Sequence, residues 1–143
     1  MEEMVWKDEY CIGIEEIDRQ HMDFIKLINR FVIIFGSGSH IRLQDRILLE
    51  IVKYIEYHCI SEENLMIISR YPNIKIQETE HKALIKTVQQ KSIGLREGVV
   101  NGNDIMKYLL NWFMQHTQVE DRKFAEYIHE QTMSRTTSDS DEK

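Results

Sequence analysis

The chain has 143 residues, with 18 Lys and Arg against 24 Asp and Glu, a formal net charge of −6. That balance argues against a nucleic-acid binder and against an electrostatic hold on anionic lipid, since both need a surplus of cations. Hydrophobic residues make up 42% and charged residues 29%, the proportions of one folded domain able to bury a core without disulfide or metal staples.

The longest aliphatic-aromatic run, Phe31-Val32-Ile33-Ile34-Phe35, is far too short to span a bilayer. The opening Met1-Glu2-Glu3-Met4 is acidic and carries no apolar stretch, so no secretory signal is expected. Cys11 and Cys59 do not make a disulfide framework, and the expected setting is a reduced cytoplasm. One proline, Pro72, and six glycines leave few breakers, which favours long helices.

The segment up to Ile17 carries Val5, Trp6, Tyr10, Ile12, Ile14 and Ile17 and is expected to pack, extended, on the helices of the remaining chain. A first helix is predicted from Asp18, a plausible N-cap, to Phe35, with His21, Phe24, Ile25, Ile28, Phe31, Val32 and Phe35 inward. Gly36-Ser37-Gly38-Ser39 supplies the turn. A second helix spans about Ile41 to Ser69, with the ladder Ile47, Ile51, Tyr54, Ile55, His58, Glu62, Leu65, and Tyr71-Pro72-Asn73 breaks it. A third spans about Ile74 to Arg96, with Gln77, His81, Leu84, Val88 and Leu95 on one face. A fourth, capped by Asn103 or Asp104, runs to about Gln131 through Ile105, Leu109, Trp112, His116, then Val119 or Glu120, Phe124 and Ile128. No segment alternates as a strand does. Short loops between long helices make sequential neighbours antiparallel, so the predicted fold is all-α, an up-down-up-down four-helix bundle over residues 1–133. Ser134 to Lys143 is polar and reads as a disordered tail.

Each ladder holds ionisable or amide groups where apolar ones are expected: His21, then His58 and Glu62, then Gln77 and His81, then His116 with an acid nearby. Such groups are costly to bury unless paired or bound to metal. His58 and Glu62 are four residues apart, about 40° on one helix face, and Gln77 and His81 share that spacing. Imidazole and carboxylate together suit iron, manganese or zinc, and carboxylates on facing helices can bridge two metals. Any one of these histidines could equally be a hydrogen-bonded core residue, and a bundle without metal is the plain alternative. Glu78 with His81 and Glu126 with His129 match the Glu-x-x-His spacing of ferritin-like bundles, but His129 lies far from the level of His116. His40 and His129 fall outside the ladders and are assigned to the surface, as is Glu63. Cys59 follows His58 directly and is read as pointing away from the site.

With Trp6, Ile12-Gly13-Ile14, Ile17-Asp18-Arg19-Gln20-His21, Asn29, His58-Cys59-Ile60-Ser61-Glu62-Glu63, Met66, Tyr71-Pro72, Glu80-His81, and Trp112 to His116 followed by Asp121, the chain resembles the single-domain bacterial hemerythrins over about Val5 to Ile128. The resemblance implies two iron ions joined by an oxo or hydroxo bridge. It implies His21 and His58 on the iron that binds O2, Glu62 and Asp121 as bridging carboxylates, and His81 and His116 on the second iron. Trp112 and Phe24 are the candidates for the dry pocket around a bound ligand. One position departs: the family's HxxxH on the third helix is Gln77-Glu78-Thr79-Glu80-His81 here. Either Gln77 ligates weakly through its carbonyl oxygen, or it hydrogen-bonds a water and leaves the second iron an exchangeable position.

Asp121 lies five residues after His116, about 140° around an ideal helix. Periodicity alone selects Glu120, and a π-bulge in the last helix would reconcile the two. The implied function is binding of O2 or another small diatomic or peroxide ligand, as carrier, store or sensor. Oxidase, peroxidase or NO chemistry at an opened second iron is the alternative. Neither nucleic acid nor membrane is an expected partner, and the oligomeric state is left open.

Overall fold

The computed structural model describes residues 3–38 and 40–141, with side chains described as far as Ser134. Met1, Glu2, Ser39, Glu142 and Lys143 lie outside the described residues, and with them parts of the opening segment, the first turn and the polar tail. A short 3-10 turn, Asp8–Tyr10, precedes helices α1 (Glu15–Gly36), α2 (Ile41–Ile68), α3 (Ile74–Arg96) and α4 (Gly102–His116). A five-residue π-turn, Thr117–Asp121, joins α4 to α5 (Arg122–Asp141), and the three segments form one continuous rod. The molecule is thus a four-helix bundle in which α2 packs on α1 and α3, and α4 packs on the same two.

Three boundaries differ from the periodic reading for identifiable reasons. Helix α1 starts at Glu15, before Asp18, because Asp18 does not cap it. The Asp18 carboxylate instead turns back and accepts from the backbone N–H of Ile12 (2.8 Å) and Gly13 (3.1 Å). Asn101, not Asn103 or Asp104, caps α4, accepting from the Asp104 N–H at 2.9 Å. The last helix continues to Asp141, past the Gln131 boundary, and no apolar residue follows Met133 to mark that extension in the sequence.

The opening segment does pack on the bundle, apart from Val5, which is exposed. Tyr10, Ile12 and Ile17 are buried, and Asn29 binds both the N–H and the carbonyl of Met4. Gly13 adopts φ +90°, a conformation natural to glycine, and a Cβ there would lie 2.8 Å from the His129 ring. Arg122 holds the Glu9 carbonyl from the other side, so the segment straps the first helix to the last.

The core falls into layers along the bundle. A large apolar cluster includes Phe24, Ile28 and Phe31 of α1, Leu48, Ile51 and Ile55 of α2, Leu84 and Val88 of α3, and Ile105, Leu109 and Phe113 of α4. Two small clusters, Ile12–Ile17–Ala125 and Met66–Tyr71–Phe124, close the opposite end. Every polar residue singled out in the ladders lies in sequence between these layers. Full burial of each large side chain in them contributes about 1.5–3 kcal/mol.

Asp18→Ala should lower unfolding stability by about 1–3 kcal/mol, because two backbone donors lose their acceptor. A denaturant titration of the metal-free chain checks this, and an unchanged midpoint would remove Asp18 from the role of anchor.

Candidate metal centre

His21, His58, Glu62, Gln77, His81, His116 and Asp121 are all buried, and Glu62, Gln77 and Asp121 have no exposure at all. Four helices deliver them to one layer. Their donor atoms form two groups that share Glu62. One comprises His21, His58, Glu62 and Asp121, the other Glu62, His81 and His116, and within each group the atoms lie within 4.8 Å of one another.

The carboxylates divide their oxygens between the groups. Glu62 Oε2 lies 3.3 Å from His58 Nε2, while Oε1 lies 3.4 Å from His81 Nε2 and 3.8 Å from His116 Nε2. Asp121 Oδ2 lies 3.4 Å from His21 Nε2, and Oδ1 lies 3.2 Å from His116 Nε2. Donors about 2.0–2.2 Å from a shared metal stand roughly 3 Å apart around it, so this spacing suits ligation. Both Glu62 oxygens, Asp121 Oδ2 and Gln77 Oε1 are buried without a hydrogen-bond partner among the described residues. Interiors seldom tolerate that, and a cation on each side of the carboxylates would satisfy them. The donor set therefore fits a pair of metal ions.

The π-turn is what brings Asp121 in. An i→i+5 turn carries one extra residue, so the residue five after His116 returns to its face. Asp121 is buried, whereas Glu120 is partly exposed and pairs with Lys123 at 3.5 Å.

Outside the donors stands a ring of partners that fixes three of the four imidazoles. His58 Nδ1 donates to Gln20 Oε1 (2.7 Å), His81 Nδ1 to Glu63 Oε2 (2.8 Å) and His116 Nδ1 to Glu80 Oε2 (2.7 Å). Each bond leaves the Nε2 lone pair aimed inward, the tautomer a metal requires. Glu63 is therefore no mere surface residue. Gln20 and Glu80 stand beside His21 and His81 in the sequence, yet each serves a histidine on a different helix, so adjacency hides the pairing. Cys59 belongs to neither donor group but lies against His81.

The aromatic residues divide between the two ends. Phe113, not Trp112, is the buried α4 residue at this level, standing edge-on to His21 at 5.2 Å with Phe24 5.8 Å behind it. Trp112 is half-buried and stacks flat on His116 at 4.2 Å.

Burial opposes the charge of Glu62, but His116, His58 and His81 around it outweigh that and hold its carboxyl well below the usual range. Burial likewise disfavours charge on His81 and His116. Contacts with Cys59 and Glu62 nevertheless lift His81 to about 11, and Asp121 and Glu62 lift His116 to about 10. The two Nε2 atoms face each other at 3.2 Å.

The description "Hemerythrin HHE cation binding domain" matches residues 12–128. A bacteriohemerythrin of Stenotrophomonas maltophilia is 27% identical over 125 residues, covering 87% of this chain and 81% of that protein. One from Clostridium acetobutylicum is 24% identical over 129 residues, covering 85% and 98%. A crystal structure of a hemerythrin variant superposes with a TM-score of 0.80 at 19% identity, covering 89% of this chain and 98% of that one.

Because a metal at His81 and His116 would have to displace the protons these raised histidines hold, metal affinity should rise by about tenfold per pH unit, or more, between roughly pH 7 and 9. Chelator competition across that range measures it. In the metal-free chain the sign reverses. The raised histidines stabilise the fold fully below their ordinary value of 6.5, and that contribution fades as pH climbs toward about 10. A metal-free stability that rises over this window would contradict the raised histidines. The cation-binding donor set and the matching family model together establish that the chain is a metal-binding member of the hemerythrin family.

Proposed function

We propose that the chain binds O2 reversibly at two iron ions, one held by His21, His58, Glu62 and Asp121 and the other by His81, His116 and the second oxygens of the same carboxylates. The observation that supports this most is the division of Glu62 and Asp121 between the two histidine groups. A ferrous pair in such a site supplies the two electrons that reversible capture of O2 draws upon.

The chain's own residues have three tasks. The carboxylates offset the charge of two cations inside an apolar bundle. Gln20, Glu63 and Glu80 fix the orientation of three histidines. Phe113 and Phe24 wall the His21 side and keep water from it, which slows irreversible oxidation. No side chain needs to act as a general acid or base, so storage or delivery of the ligand suits the site better than turnover. No helix among the described residues is long and apolar enough to cross a membrane. The free thiols Cys11 and Cys59 suit a reducing compartment.

The test is optical. Iron-loaded chain, prepared without oxygen, should develop a charge-transfer band on admission of O2 and lose it on degassing. Direct conversion to a ferric spectrum that degassing does not reverse would exclude reversible binding. Phe113→Ala should leave the band but shorten the lifetime of the oxygenated form, followed as the rate of irreversible oxidation.

A further inference from the structure

The imidazoles with outer partners are not all fixed in the same way. Glu63 and Glu80 are carboxylates, which only accept, so His81 Nδ1 and His116 Nδ1 must donate to them. Behind His58 stands the amide of Gln20 instead. An amide has an accepting end and a donating end of nearly the same shape. Turned over, it would donate to His58 Nδ1, put the ring proton on Nε2 and occupy the lone pair that a metal needs. Something must therefore decide which way Gln20 faces.

Two further bonds toward the surface supply that decision. Gln20 Nε2 donates to Ser61 Oγ at 2.9 Å, and Ser61 Oγ donates to Glu16 Oε1 at 3.3 Å. Ser61 lies half-buried on α2, and Glu16 lies exposed in the first turn of α1. A serine hydroxyl has a single proton and can face either way. With the Glu16 carboxylate as its acceptor, that proton is committed outward, and the oxygen is left to accept from Gln20. A reversed amide would set Gln20 Oε1 against Ser61 Oγ, acceptor against acceptor. The amide therefore presents Oε1 to His58 Nδ1, 2.7 Å away. Its backbone is held too, because the Gln20 carbonyl accepts from the Tyr54 hydroxyl at 2.8 Å.

We infer that Glu16 and Ser61 are positioning residues, which from the rim of the bundle set the direction of the hydrogen-bond chain Glu16–Ser61–Gln20–His58 and so hold His58 in its metal-binding tautomer. Neither belongs to the donor groups themselves. The inference rests on the metal-binding reading above, and the experiment separates the two. Metal-free full-length chain is titrated with Zn(II) against a competing chelator, and the His58 half is recognised as the step that His58→Ala weakens.

Ser61→Ala should weaken that step by about tenfold, the lower end of what direct partners of metal-bound histidines contribute. Ser61→Thr, which keeps the hydroxyl, should restore it. Glu16→Gln, at an exposed position that does not endanger the fold, should act in the same direction as Ser61→Ala. Glu15→Gln, which removes an equal charge from the neighbouring exposed position, should not. The decisive comparison uses Gln20→Glu. A carboxylate there accepts at either oxygen and needs no direction, so in that background Ser61→Ala and Glu16→Gln should leave the Zn(II) affinity unchanged. Circular dichroism checks the fold of each variant. Equal losses in both backgrounds would show packing or charge at work rather than direction, and would overturn the inference. So would a folded Ser61→Ala chain that binds Zn(II) as tightly as the unaltered one. Either result would leave metal binding itself standing. An unaltered chain that holds no Zn(II) would defeat the metal-binding reading, and this inference with it.

Discussion

Two carboxylates with no exposure to solvent, set among four imidazoles, are the constraint around which the rest of the molecule is arranged. A buried carboxylate without a counter-charge is among the most expensive features an interior can hold. Glu62 and Asp121 are tolerated because imidazole nitrogens approach both oxygens of each, the raised His81 and His116 among them. The apolar layers on either side depend on this balance and sharpen it. They exclude the water that would otherwise screen the charges, and low local polarity strengthens every interaction in the layer.

Much of this was legible in the chain itself. Helix α3 matches the predicted Ile74–Arg96 span, and the interruption of aliphatic ladders by His21, His58, Glu62, His81 and His116 marks the polar layer. Those signals survive because burial imposes a 3.6-residue period on whatever points inward. Asp121 was harder, since it obeys no regular period. The π-turn that delivers it leaves no composition of its own; periodicity selects Glu120, and only the family resemblance points to Asp121. The outer ring was harder still. Gln20, Glu63 and Glu80 touch histidines on other helices, and a helical period says nothing about how neighbouring helices are rotated against each other. Asp18 illustrates a different limit: its residue type suits a cap, yet the nearby N–H groups of Ile12 and Gly13 compete for the same oxygens and hold them.

The outer ring also separates the halves in charge. His81 and His116 are backed by the carboxylates Glu63 and Glu80, whereas His58 is backed by the neutral amide of Gln20 and His21 Nδ1 by no partner among the described residues. A carboxylate behind an imidazole fixes its ring and makes it a stronger donor than a neutral amide does. The half with neutral backing also lies beside the Phe113 wall.

The His21–Asp121 contact joins positions a hundred residues apart, and the strap beneath it ties Glu9 to Arg122 across an even longer stretch. Helix α2 and helix α3 can meet as a local hairpin that already shares Glu62 between His58 and His81, but the fourth rod must dock before His116 and Asp121 join the layer. Closing so long a loop is an entropic cost met only once most of the core exists to repay it. The layer is therefore complete only once the fourth rod brings in His116 and Asp121. The donor set is thus an indicator of register: it assembles in full only when the last helix has docked one specific way.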